Sequence, residues 1–286
     1  MTTRAERKEG WGTGDAARRR ALLTYVGAAG VAATAGCLSG ERPAEREPAG
    51  DPAAPARYAQ DATVSIVTPR DGETVHGFVS VVMAAENVAI ESAGKARDGA
   101  GHFHLIIDGE PTPRGEIIPA DATHKHFGEA SKETVLDLEP GEHRLVLQLG
   151  DGNHRASRLT DEVTITVVDD ASISFVDLED GASVPTPVAL RWETKGVTLE
   201  PAGTVRQNAG YAHVLVDTDP IPVGKRIPST PRIHHFGDGG TDATLDLTPG
   251  EHRLVVQLSN GSRLATPLTD EVRVTVTEPV SEGDGV

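Results

Sequence analysis

From Thr63 onward the chain alternates short apolar runs with turn-forming residues, and almost nowhere does a helical period appear. Apolar side chains at every second position over a few residues mark strands with one face in a core. The pattern predicts strands over Thr63–Thr68, Phe78–Glu86, Gly101–Asp108, Thr134–Leu138, His143–Leu149 and Glu162–Val168. Asp71-Gly72, Pro119, Pro140-Gly141 and Asp151-Gly152 punctuate them, each with a backbone reason to turn. Alternation puts Leu145, Leu147 and Leu149 on one face of their strand and Arg144, Val146 and Gln148 on the other. The leucine face is the core face, and His143 lies at its rim, a place for an imidazole bonded to a nearby carbonyl. The run from Gly101 to Asp108 does not divide so cleanly. His102, His104 and Ile106 share one face, Phe103, Leu105 and Ile107 the other, and both faces are partly apolar.

The whole pattern returns 109 residues later without an insertion. GHFHLIID (101–108), HKHFG (124–128) and PGEHRLVLQL (140–149) become GYAHVLVD (210–217), IHHFG (233–237) and PGEHRLVVQL (249–258). His104, His126 and His143 therefore correspond to His213, His235 and His252. The second copy has its own turns at Asp180-Gly181, Pro228, Pro249-Gly250 and Asn260-Gly261. Copies of this size, each with six or seven short strands, fit an immunoglobulin-like sandwich. The expectation is an all-β chain with two tandem immunoglobulin-like β-sandwich domains, residues 62–169 and 170–279, and a short tail at 280–286.

What precedes Thr63 is of another kind. Basic residues at 18–20 lead into a weakly apolar run from Ala21 to Ala35 and then Gly36-Cys37. That run is too short to span a bilayer, which needs about 20 apolar residues, and it fits a secretory signal peptide over residues 1–36. Arg19-Arg20-Ala21-Leu22-Leu23 looks like a twin-arginine export motif. Thr34-Ala35-Gly36-Cys37 resembles a lipobox, which would make Cys37 the acylated residue and the membrane, through its lipid, the first partner. Residues 37–61 are rich in Pro, Ala, Gly and charge, too poor in large apolar side chains to offset their ordering entropy, and are expected to be a disordered tether. The fold is then held at the extracytoplasmic face of the membrane. Cys37 is the only cysteine, so no disulfide staples it.

The formal net charge is −16, which argues against a nucleic-acid partner. The scarcity of lysine beside arginine and the abundance of carboxylates resemble proteins of salt-loving archaea, whose surfaces stay hydrated through Asp and Glu.

Histidine is where candidate chemistry lies. His102, His104, His124, His126, His143 and His154 all fall in the first copy. Two pairs, His102/His104 and His124/His126, have the i, i+2 spacing that puts both imidazoles on one side of an extended strand. Two such pairs on neighbouring segments supply four nitrogen ligands. Neutral imidazole suits Zn²⁺ and Cu²⁺, and the lack of thiolates and methionine clusters argues against Cu⁺. The candidate metal ligands are His102, His104, His124 and His126, with His213 and His235 as their counterparts. The second copy has Tyr211 for His102, Ile233 for His124 and Arg263 for His154. The other reading makes every histidine structural and the chain an interaction module with an envelope protein as partner.

The G-x-x-H-(apolar)₃-D strand, the H-F-G turn and the P-G-E-H-x-L strand together resemble domain-of-unknown-function family 4399, found in exported proteins of bacteria and archaea. The resemblance covers about residues 101–167 and 210–276. In that family the first motif is a run of three histidines after the glycine, whereas this chain has His102-Phe103-His104 in one copy and only His213 in the other. The resemblance implies an exported domain and no particular activity.

There is no G-x-S-x-G elbow, no Walker loop, no G-x-G-x-x-G and no C-x-x-C. No nucleophile stands with its base, so no catalytic residue is assigned and the chain is expected not to be an enzyme. Aromatics at 3% argue against a carbohydrate-stacking platform.

Overall fold

The structure, a computed structural model, describes residues 56–278. The signal segment, Cys37, most of the expected tether and the tail lie outside the described residues. Each repeat is a sandwich of two sheets, and the strands follow the apolar alternation. The first repeat holds β1 (Thr63–Thr68), β2 (Thr74–His76), β3 (Val79–Glu86), β4 (Ala89–Ile90) and β5 (Ala100–Ile107). It continues with β6 (His124–His126), β7 (Glu133–Leu136), β8 (Gly141–Gly150) and β9 (Ala156–Val168). The smaller sheet has the order β1-β3-β7, and the larger runs β2-β9-β8-β5-β4 with β6 attached to β5.

The second repeat reproduces this in β10 (Ser172–Phe175), β11 (Ala182–Pro185), β12 (Val188–Lys195), β13 (Thr198–Leu199) and β14 (Ala209–Val216). Its remaining strands are β15 (Ile233–His235), β16 (Asp242–Leu245), β17 (Gly250–Ser259) and β18 (Ala265–Thr277). Its sheets are β10-β12-β16 and β11-β18-β17-β14-β13, with β15 on β14. The six expected strands of the first copy are all present. The last is longer than expected, because β9 pairs with β8 from Gly141↔Val167 to Gly150↔Ala156, through polar positions that alternation cannot recognise. The short strands β2 and β4 carry too few residues to show a period.

The core of the first repeat lies between its sheets. Val64 and Ile66 of β1, Val81 and Met83 of β3, Phe103, Leu105 and Ile107 of β5, and Leu145, Leu147 and Leu149 of β8 meet there. The outer face of the large sheet is also covered. Residues 109–123 cross it, burying Ile106, Val146 and Ile118. A buried amide clips this excursion down: Gln148 Oε1 accepts the Thr112 N–H at 2.9 Å, and its Nε2 donates to the Thr112 carbonyl at 2.8 Å. Gln257 does the same to Ile221, at 2.8 Å in both directions. An amide side chain offers one acceptor and two donors, so it can close both backbone groups of the facing residue. Every residue of β5, and likewise of β14, is therefore buried.

The last residues of the expected tether are docked on the first repeat. The Ala56 N–H donates to Asp151 Oδ2 (3.2 Å), the Arg57 N–H to Asp98 Oδ1 (2.7 Å), and the Tyr58 hydroxyl to the Ala100 carbonyl (3.2 Å). Composition could not show this, because the partners are backbone groups and turn carboxylates far along the chain.

The repeats meet through an apolar plug and two side-chain amides. Phe78, fully buried, and Val135 belong to the core cluster of the second repeat. Asn208 Oδ1 accepts the His76 N–H at 2.8 Å, and Gln207 bonds both the N–H and the carbonyl of Ser80. Phe78→Ala is expected to cost about 3–5 kcal/mol, the range for emptying a buried aromatic site. Calorimetry should show the melting temperature falling and the two repeats melting further apart; a variant that melts like the parent would remove the plug from the account.

Candidate functional site: a histidine cluster on the outer sheet face

Strand β5 turns Phe103, Leu105 and Ile107 into the sandwich, which sends His102 and His104 to the outer face, beneath the excursion. His102 and His104 are buried, at 0% and 1% exposure. Strand β6 pairs antiparallel with β5 so that His126 stands opposite His104. The hairpin between β8 and β9 closes beside them, because His102 pairs with Gly150. At its tip His154 adopts φ +64°, and its ring turns back over the cluster.

Four imidazoles converge. The ring centroids of His102, His104, His126 and His154 lie 4.8–5.9 Å apart in all six pairings. Nε2 of His102 is 3.0 Å from Nε2 of His104, and Nε2 of His126 is 3.2 Å from Nε2 of His154. The candidate nitrogens of His102, His104 and His126 all fall within 4.8 Å of one another. Four nitrogens set tetrahedrally at about 2.0–2.1 Å from an ion stand about 3.3 Å apart, so the two closest pairs already sit near ligand spacing.

Space for the rings is reserved by glycine. A Cβ at Gly150 would lie 2.8 Å from His104 Nε2, and one at Gly128 would overlap the His126 ring. The second repeat keeps the latter as Gly237 but has Ser259 in place of Gly150.

Burial, with the neighbouring imidazoles adding to it, lowers the pKa of His102 to about 4 and of His104 to about 3. Burial and His154 also lower that of His126. The buried pair is therefore neutral near pH 7 with lone pairs available, as metal ligation requires. Nδ1 of His102 and Nδ1 of His104 are buried with no hydrogen-bond partner. An orphaned buried polar atom costs about 1–3 kcal/mol, so the cluster is not arranged for the stability of the bare fold.

Of the four first-copy ligands expected from sequence, His102, His104 and His126 are brought together and His124 is not. It faces Ile106, one pleat further along β5, and its Nδ1 is held 2.7 Å from Asp121 Oδ1. His154 lies beside these three, its Nε2 3.2 Å from that of His126, and i, i+2 spacing could not find it because it comes from a turn. Its signal lay in the hairpin: β8 and β9 must return the Asp151–Arg155 turn to the start of β5.

In the second repeat His213 and His235 meet, with ring centroids 4.7 Å apart, and Tyr211 stacks on His213 at 4.7 Å. Their four ring nitrogens are buried and make no well-formed hydrogen bond, though backbone groups of Tyr211 and Gln257 lie near His213 and one of Pro228 near His235. Burial, then His235 and the Arg263 guanidinium, lower the His213 pKa to about 3.

His143 and His252 stand apart from both clusters. His143 Nδ1 is 2.8 Å from Asp108 Oδ2 and its Nε2 is 2.8 Å from the Glu139 carbonyl. His252 repeats this with Asp217 (2.9 Å) and the Thr248 carbonyl (2.8 Å). Burial works against a charge on His143, but the Glu139 carbonyl and the Asp108 carboxylate outweigh it and raise its pKa. These two histidines tie the start of β8 to the segments that follow β5 and β7, and the start of β17 to those that follow β14 and β16.

The model of the domain of unknown function DUF4399 matches residues 81–168 and 190–277. The chain belongs to that family, in two tandem copies. A curated protein, the tyrosine recombinase Synpcc7942_B2651 of Synechococcus elongatus, is 33% identical over 148 residues, 48% of this chain and 40% of that protein. The chain thus spans less than half the length of this relative. Among solved structures, the fibronectin(III)-like modules of Clostridium thermocellum CbhA align over 78% of this chain and 99% of theirs, at 12% identity and TM-score 0.29. The N-terminal four Ig domains of Dscam1 isoform 4.44 align over 75% of this chain and 45% of theirs, at 11% identity and TM-score 0.20. Overlaps this loose carry no argument about function; the two β-sandwiches stand on the strand pairing itself.

The depressed histidines set an acid limit. The unfolded chain takes up protons near pH 6.5, while folded His102 and His104 resist until about pH 4 and pH 3. Their contribution is fully present above pH 6.5 and is lost as pH falls through that window. Metal-free thermal melts between pH 7 and 3 should slope downward accordingly, and a His104→Leu variant should slope less. Equal slopes would refute it.

Proposed function

We propose that the chain is a non-enzymatic binding module, anchored at the extracytoplasmic face of the membrane through Cys37, whose first repeat holds one divalent ion, Zn²⁺ or Cu²⁺. The ligands are His102, His104, His126 and His154. The observation that carries this reading is the gathering of four imidazoles, two of them buried and neutral: ligand nitrogens of His102, His104 and His126 lie within 4.8 Å of one another, and Nε2 of His154 lies 3.2 Å from that of His126. The glycine at position 150, which leaves room for the His104 ring, supports it. With only neutral nitrogen donors the site suits borderline ions, Zn²⁺ and Cu²⁺ above all, and not Ca²⁺ or Mg²⁺, which take oxygen. His126 is exposed and His154 partly so, which leaves an entry path for the ion from solvent.

The anchoring half of the proposal rests on the Arg19-Arg20 and Cys37 motifs. Among the described residues no helix is long and apolar enough to cross a membrane. A lipid on Cys37 would hold the sandwiches at the surface, where the carboxylate-rich exterior keeps them hydrated in salt and an envelope protein is the natural macromolecular partner.

Calorimetric titration of the full chain with Zn²⁺ and with Cu²⁺ is expected to give saturable binding that falls at least tenfold in His154→Ala and is unchanged in His124→Ala. Both residues are half-buried and lie outside the apolar cores, so neither change should unfold the sandwich. Binding that is equal in all three proteins sinks the metal reading and leaves the histidines structural. Separately, Cys37→Ser should move the exported chain from the membrane fraction to the soluble one, and a variant still sedimenting with membranes excludes the lipid anchor.

A further inference from the structure

The repeats differ in charge around the cluster at two positions, and both changes make the second repeat more positive than the first. Asp151 is 1% exposed, and its carboxylate accepts the N–H groups of Asn153 (2.8 Å), Arg155 (3.0 Å) and Ala56 (3.2 Å). These bonds shape the turn that carries His154. Among the described residues no cationic side chain pairs with Asp151, yet its negative charge reaches His102. At the same position the second repeat has Asn260, fully buried, whose Oδ1 accepts the Ser262 and Leu264 N–H groups at 3.0 and 2.9 Å. The turn is kept and the charge is gone.

Three residues on, a second change goes the same way. His154, which can be neutral, is replaced by Arg263, which cannot. Arg263 has the same left-handed backbone, φ +67° against +64° for His154. Its guanidinium donates to Ser229 Oγ at 3.0 Å and its charge acts on both His213 and His235. The first repeat thus has a buried carboxylate and four imidazoles, with an imidazole where the second repeat has a guanidinium. The second has a neutral amide, two imidazoles and a cation fixed to the chain.

We infer that Arg263 is a built-in substitute for the metal, so that only the first repeat takes an exchangeable divalent ion, and that Asp151 is the positioning residue that favours a cation there. This rests on the metal reading above and assigns which repeat is loaded and why. Asp151 acts through the turn holding His154 and through its field at the cluster, without touching the ion. Tyr211 and Ser259, in place of His102 and Gly150, complete the conversion by removing one ligand and filling the space reserved for a ring.

The test is an exchange between repeats, read as Zn²⁺ and Cu²⁺ bound per full-length chain after equilibrium dialysis. The parent should bind one ion. Asp151→Asn should weaken it about 10- to 100-fold, the range for outer-shell partners of metal ligands, without shifting the metal-free melting temperature as a core lesion would. The double change Asp151→Asn with His154→Arg should bind none and melt independently of added metal. In the reverse direction, Tyr211→His, Ser259→Gly, Asn260→Asp and Arg263→His together should raise the stoichiometry to two. If that fourfold variant does not fold, the double change in the first repeat decides alone. A parent binding two ions, a folded fourfold variant still binding one, or a double variant still binding one would each overturn the inference while leaving the metal reading intact. A parent binding none would overturn both.

Discussion

Strand β5 has no solvent side, and the arrangement of the first repeat follows from that constraint. One of its faces is pressed into the sandwich by Phe103, Leu105 and Ile107, and the other is roofed by the excursion that Gln148 clips to the sheet. Two histidines on the roofed face must lie in a dry place with few acceptors. Burial there holds them neutral, and neutral imidazoles with unsatisfied nitrogens are either a cost to the fold or ligands. The neighbouring segments resolve this by sending two more imidazoles to the same spot.

Duplication makes the argument sharper than a single domain would allow. The second repeat has the same roof, the same glutamine clip and the same paired histidines on β14 and β15. What it lacks is local: Tyr211, Ser259, Asn260 and Arg263 each alter the cluster while the strand pairing stays in register. The contrast separates what the fold needs, shared by both copies, from what only the first copy has. His143 and His252 belong to the shared set. Each ring is bonded through both nitrogens to a carboxylate and a carbonyl, so neither has a lone pair to offer an ion.

The joint between repeats uses the same economy of means. Phe78 enters the second core, and the amides of Gln207 and Asn208 satisfy backbone groups of the first repeat that no strand reaches. In the first repeat the equivalent turn, at Asp98, receives instead the segment that arrives from the tether. Each sandwich is thus met at the same turn by the chain that precedes it in space.

The alternating pattern by itself determined the strands, the doubling and the leucine face of β8, because these depend on side chains two residues apart along one strand. It also determined that histidine is the only residue type in which candidate chemistry concentrates. It could not determine the side to which His102 and His104 point, because both faces of β5 are apolar and an excursion covering a sheet leaves no periodic trace. Nor could it choose between His124 and His154 as the fourth ring. Spacing along one strand favoured His124, but an Asp121 carboxylate holds it aside, and the β8–β9 hairpin carries His154 across 28 residues of sequence to His126. Tertiary structure decided both, because a metal-sized gathering of side chains is a property of strand pairing and loop closure between distant segments.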